Sequence, residues 1–105
     1  MSWDINRVTI VGRLCRDVDL RYTPGGAAVG KFSIAVGGKP KQDGSDNTFF
    51  FNVVVWGKAA ENASNYIRKG SQIVVDGRLE HRNWTSEAGD KRSAVEIVAL
   101  LLIFC

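Results

Sequence analysis

Histidine is almost missing from this 105-residue chain: His81 stands alone, with no cluster of Cys, Asp or Glu around it in the sequence. That argues against a zinc site and against imidazole-centred acid–base catalysis. Cysteine is equally scarce. Cys15 and Cys105 have no metal-ligand spacing, and with a full apolar complement available for a core they read as reduced thiols of a cytoplasmic protein, a disulfide between them staying open. Neither a GxxxxGK nor a GxGxxG segment occurs, so no phosphate-cradling loop is encoded and no nucleotide cofactor is expected. Asp17 and Asp19 share a strand face but lack a third carboxylate, and are read as surface charges near a turn rather than as a nuclease metal site. The longest apolar run, Val98 to Cys105, is far too short to cross about 30 Å of hydrocarbon as a helix. No basic segment followed by an apolar stretch opens the chain, so no secretion signal is expected, and Asn62-Ala63-Ser64 is taken as a chance glycosylation sequon.

What the chain does have is aromatic residues set among basic strands. Phe49, Phe50, Phe51 and Trp56 fall in one strand-like run, and Trp84 follows Arg82 in the later segment Arg82-Asn83-Trp84-Thr85. Fourteen Lys and Arg against eleven Asp and Glu give a net charge of +3 and, at 11.5 kDa, a pI near 9.1. So small an excess permits an anionic partner without requiring one, and the positions of the charges have to decide. Rings beside cations suit a ligand that is flat, stackable and anionic at once. Single-stranded nucleic acid has these properties, its bases stacking while Lys and Arg follow the phosphates.

The length allows one domain with one core, residues 1–105. Val8, Ile10, Gly12 and Leu14 alternate with Arg7, Thr9, Val11 and Arg13, which predicts a strand extended by Asp19 to Thr23 and ended by the turn Thr23-Pro24-Gly25-Gly26. Gly12 marks a bulge or sharp bend in it. Val29 to Val36 is a second strand, a polar loop from Gly37 to Asn47 follows, and Thr48 to Trp56 is a third. A helix is predicted from Ala59 to Lys69, with Ala59, Ala63, Tyr66 and Ile67 as its apolar stripe and Gly70 as its stop. Ser71 to His81 is a fourth strand, Trp84 to Lys91 a hairpin loop, and Ser93 to Phe104 the fifth strand. Five strands with one helix between the third and fourth is the element order of an all-β OB-fold barrel, although small SH3-like and split-sheet domains have similar counts. Gly12 and Gly77 are placed at its corners.

Several ordered motifs carry a family resemblance. Asn6-Arg7-Val8-Thr9-Ile10-Val11-Gly12-Arg13-Leu14 with Arg21-Tyr22-Thr23-Pro24-Gly25-Gly26, then Trp56-Gly57-Lys58-Ala59-Ala60-Glu61, then Tyr66-Ile67-Arg68-Lys69-Gly70-Ser71-Gln72-Ile73 and Val75-Asp76-Gly77-Arg78-Leu79, resemble the bacterial single-stranded DNA-binding proteins. Arg82-Asn83-Trp84-Thr85 and Val95-Glu96-Ile97-Val98-Ala99 complete the pattern, which runs from Asn6 to Ala99. The resemblance implies an OB-fold that assembles as a homotetramer, wraps single-stranded DNA, and works without catalysis in replication, recombination and repair. It implies a cytoplasmic, nucleoid-associated protein whose partners include replication and repair proteins. Its stacking aromatics carry over onto Phe50, Trp56 and Trp84, and its basic contacts onto Lys58, Lys69, Arg82 and Arg21.

Three departures qualify the match. Pro40, between Lys39 and Lys41, stands where the family often has another stacking tryptophan, so charge replaces a ring. Phe51 stands where many members have a polar residue; that region lies near subunit contacts in the family, and Phe51 is expected to bury at an interface. The chain ends on Leu100-Leu101-Leu102-Ile103-Phe104-Cys105, without the family's flexible linker and acidic tip that recruits partners. A second reading is therefore a primosome-type assembly protein on the same fold, and a small enzyme is a distant third. Alternation puts Phe50, Asn52, Val54 and Trp56 on one face and Phe49, Phe51, Val53 and Val55 on the other, one face being core and the other a ligand or subunit surface. Trp84, at a hairpin tip, is expected to stack; Tyr22 is expected to be a core ring with a solvated hydroxyl; Trp3 stacks on a base or packs on a neighbouring subunit. Binding is expected to be nearly sequence-independent, with a mild preference for thymine-rich strands because they self-stack least.

Overall fold

A computed structural model describes residues 4–104. In chain order the elements are β1 (Val8–Leu14), β2 (Asp19–Tyr22), β3 (Ala28–Gly37), β4 (Thr48–Trp56), α1 (Lys58–Tyr66), β5 (Gln72–Thr85) and β6 (Lys91–Phe104). The sheet runs β1-β5-β6-β4-β3-β2, and β1 also pairs with β3 through Arg13↔Ala35 and Leu14↔Ile34. That second pairing closes β1, β5, β6, β4 and β3 into a ring. Counting β1 and β2 as one bent strand, this is the five-stranded OB barrel with its helix between the third and fourth strands.

The barrel closes because each strand alternates. Phe32 and Ile34 of β3, Val53 and Val55 of β4, Ile73 and Val75 of β5 and Ile97 of β6 all point inward and are essentially buried. Fully burying such a side chain stabilises by about 1.5–3 kcal/mol. Helix α1 contributes Ala60, Ala63 and, just past its end, Ile67 to the same core. Its buried stripe thus differs from the predicted one: Ala59 and Tyr66 are exposed, because Ala60–Ala63–Ile67 is the three- and four-residue spacing that meets the barrel. The helix also stops before Lys69. The amide of Arg68 donates to Ser71 Oγ (3.0 Å) and that of Lys69 to Asp17 Oδ1 (2.7 Å), partners outside the helix that draw the chain away.

Other departures from the sequence reading have similar causes. The long first strand breaks at Cys15 and Arg16, where the chain turns from β1 into β2. No register shift occurs at Gly12. Instead β1 leaves β5 for β3 there, and a Cβ on Gly12 would lie 2.8 Å from the Ala35 carbonyl oxygen. The bulge lies at Asp76/Gly77, where a Cβ on Gly77 would collide with the backbone of Val98. Tyr22 is exposed rather than core; its hydroxyl donates to Glu61 Oε2 at 3.1 Å and fastens β2 to α1, and this acceptor raises its pKa. Arg7 bridges β1 to β5 by donating to both carboxylate oxygens of Asp76 (2.9 and 3.4 Å), which holds that carboxyl below its ordinary range.

Two hairpin arms leave the barrel. One joins the ends of β3 and β4 across the loop Gly38–Asn47. The other is the long β5–β6 ribbon, paired from Glu80↔Glu96 out to Thr85↔Lys91 and closed by the Ser86–Asp90 turn. The radius of gyration is 15.4 Å, above the roughly 13 Å of a compact chain of this length, and the arms account for the excess.

Gly77→Ala is expected to lower unfolding stability by about 1–3 kcal/mol or more, because the new methyl meets backbone rather than a movable side chain. Denaturant unfolding measures it, and a loss below 0.5 kcal/mol (about the surface-substitution range) would show that the bulge relaxes freely.

Candidate nucleic-acid interface

Strand register settles which side chains share the outer face. In β3–β4 the outward pairs are Val29↔Trp56, Lys31↔Val54, Ser33↔Asn52 and Ala35↔Phe50. β2 adds Arg21 beside Val29 and Asp19 beside Lys31. The parallel pair Val54↔Val98 carries the face onto β6, and Glu80↔Glu96, Arg82↔Ala94 and Trp84↔Arg92 carry it along the ribbon. Phe50, Trp56, Arg21, Arg82 and Trp84 therefore share one surface, although they come from three segments of the chain.

The rings on this face are open. Phe50 is 68% exposed, Trp56 50% and Trp84 40%. Trp84 lies in β5 itself, not in a loop: the ladder continues past it to Thr85↔Lys91, so its backbone is held while its ring is free. The Arg82 guanidinium carbon sits 5.0 Å from the Trp84 ring centre, a cation–π contact that covers one ring face. Beside the ring is a shallow basin of about 470 Å³, walled by Asn83, Lys91 and Arg92. Trp56 ends β4, and Gly57, at φ +69°, turns the chain directly into α1, which leaves Lys58 exposed next to Trp56. A residue with a side chain would be strained at that φ.

Lys69 is exposed in the Arg68–Gly70 turn after the helix, where only its backbone is anchored, by Asp17. Arg21 pairs with Asp19 at 3.2 Å, an exposed contact worth about 0–1 kcal/mol that leaves it available to another anion. Phe49 and Phe51 point to the inner side of their strand, opposite Val36 and Ile34, yet remain partly exposed, at 48% and 36%. The predicted alternation of β4 is therefore present: its inner face is core at Val53 and Val55, while Phe49 and Phe51 on the same face stay partly open. Trp3 lies outside the described residues.

Other residues of this face were not singled out from sequence. A recess of about 350 Å³ lies at its centre, lined by Arg16, Lys31, Asn52, Val54, Arg82 and Glu96 among others. In the sequence Lys31 and Arg16 are two of fourteen Lys and Arg, with no local pattern to set them apart. The register, Lys31 opposite Val54 and Asp19, brings Lys31 to the aromatic face, and the bend after β1 brings Arg16 to the recess. The arrangement offers flat apolar platforms at its edges and cations between them. Among the described residues no group of three His, Cys, Asp or Glu could hold a metal ion, and no helix is long and apolar enough to cross a membrane.

Residues 5–104 match the model of the single-strand binding protein family. The "Single-stranded DNA-binding protein" of Oceanobacillus iheyensis is 48% identical over 97 residues, covering 90% of this chain and 60% of the relative. "Single-stranded DNA-binding protein 2" of Listeria innocua is 48% identical over 96 residues, with the same coverage. "Single-stranded DNA-binding protein 1" of Streptococcus pyogenes is 44% identical over 96 residues, and the match covers 74% of it. The chain spans about three-fifths of the length of the first two of these relatives. On the family match and these identities, the chain belongs to the single-strand binding protein family.

Proposed function

We propose that this chain binds single-stranded DNA without catalysing a reaction, and that it covers exposed strands during replication, recombination and repair. One observation carries the reading: Phe50, Trp56 and Trp84 lie open on one outer face, with cationic side chains between and beside them. Bases stack on these rings while Lys58, Lys69, Arg82 and Arg21 meet the phosphates. Each stacked base is worth about 1–3 kcal/mol by alanine substitution, so three rings outweigh any single hydrogen bond. Because every base has a ring face, binding depends little on sequence. The chain acts in the cytoplasm, on nucleoid DNA.

The working form is a homotetramer. One barrel offers a short track, an OB domain covering roughly 4–16 nucleotides, and linked copies gain avidity on a long strand. Val11, Leu101 and Ile103, exposed on the outer side of β1 and β6, and Phe51 on the arm supply apolar surface for contacts between copies. Light scattering at micromolar concentration is expected to give four times 11.5 kDa. A stable monomer would remove this part of the proposal.

Titration with long oligo-dT is expected to quench tryptophan fluorescence saturably, with log K falling against log salt by about 0.7 per phosphate contact, and duplex DNA quenching little. A folded protein whose fluorescence ignores single strands would favour an assembly module on the same barrel. Trp84→Ala is expected to weaken oligonucleotide binding roughly 5- to 150-fold, the equivalent of one lost stack, with little change in melting temperature. Equal losses of stability and binding would make Trp84 a structural ring.

A further inference from the structure

β1 covers β5 only as far as the pair Val8↔Gly77. By the same register the next outward positions are Asn6 and Leu79, but Asn6 lies before the strand begins. Its side chain takes the rung instead. Asn6 Nδ2 donates to the Leu79 carbonyl at 2.8 Å, and Asn6 Oδ1 accepts the Leu79 amide at 2.9 Å. A primary amide carries both a donor and an acceptor, so one asparagine serves both backbone groups of Leu79 as a strand residue would. On its other edge Leu79 pairs with Ile97, and Ile97 with Val53. Asn6 thus closes the last row of the barrel, Asn6–Leu79–Ile97–Val53. Past that row, from Glu80 to Thr85, β5 is paired with β6 alone among the described residues. The ribbon that carries Arg82, Trp84 and Arg92 is therefore rooted at the Asp76/Gly77 bulge and held, two residues further on, by this clasp.

We propose that Asn6 is a positioning residue for single-strand binding: by clasping Leu79 it fixes the angle at which the β5–β6 ribbon leaves the barrel, and so where Trp84 and Arg82 stand relative to Phe50 and Trp56. This rests on the single-strand reading above. Asn6 meets no ligand in this scheme and acts only through the ribbon. A two-stranded ribbon is marginally stable by itself, and a bulge at its root bends the strand locally, so a fastening just beyond the bulge decides how far the ribbon swings. A strand of DNA that spans rings on the barrel and on the ribbon must order them relative to each other. Holding them in place beforehand raises affinity without any new contact. The clasp is also separable from the core. Asn6 is exposed and Leu79 is 44% exposed, so water reaches the two backbone groups when the amide is removed. Folding then tolerates the loss, while the ribbon gains freedom.

The test is a double-mutant cycle on oligo-dT affinity, with the unaltered protein, Asn6→Ala, Trp84→Ala and the two together. Asn6→Ala is expected to weaken binding roughly threefold to tenfold, the scale of one or two net hydrogen bonds, with little change in melting temperature. In the Trp84→Ala background Phe50 and Trp56 still offer stacking platforms, but the ring that Asn6 positions is gone. There the same substitution is expected to weaken binding less than about twofold. Amide hydrogen exchange without DNA is a second arm. Asn6→Ala is expected to speed exchange at Leu79 and in the ribbon beyond it, while Ile73 and Val75 in the barrel stay protected. An equal loss of affinity in both backgrounds would make Asn6 a general structural support. Unchanged affinity beside faster exchange at Leu79 would show that the ribbon's angle does not govern binding. Either result overturns the inference. If the unaltered protein does not bind oligo-dT, it is the single-strand reading that fails.

Discussion

The short parallel contact between β4 and β6 is the constraint on which the rest of the molecule depends. Only Val53↔Ile97 and Val54↔Val98 are paired there, yet those pairs join the β3–β4 half of the barrel to the β5–β6 half. Val53 and Ile97 drive it from inside, both about 1% exposed, and Val54 and Val98 cover it from outside. Past this contact the strands diverge, β4 following β3 into one arm and β6 following β5 into the other. The gap where they part is the recess, which is why Asn52 and Glu96, the next residues on each strand, form its walls.

Splayed arms also explain why large rings stand in water on so small a protein. A barrel strand has one face against the core. On an arm only the backbone ladder is needed to hold the strand, so both faces stay at least partly open and rings are presented without being buried. The exposed ion pairs nearby, Arg21 with Asp19 and Arg78 with Glu80, contribute little to stability. Their importance is local, because they decide which cations are engaged and which remain open to a ligand.

Much of this was legible in the sequence because period-two alternation is a local signal. Phe50 and Trp56 follow directly from counting along β4, as do Val8 to Leu14 along β1. The family motifs supplied the barrel order. What could not be read is whatever depends on register between distant segments. Arg16, Lys31 and Glu96 are ordinary charges until pairing and the bend after β1 set them around one recess. Trp84 looked like a loop residue because nothing local shows that the ladder runs on to Thr85. The helix end was missed for a comparable reason: Asp17, which takes the Lys69 amide, lies 52 residues away in sequence.

The guanidinium over Trp84 has a geometric consequence. With one side of the indole already occupied, a flat ligand can settle only on the other. Such a ring serves as the end plate of a stack and cannot be sandwiched between two neighbouring bases unless Arg82 swings away. The ribbon arm therefore has a closed side and an open one, and a strand lying along it meets them in a fixed order.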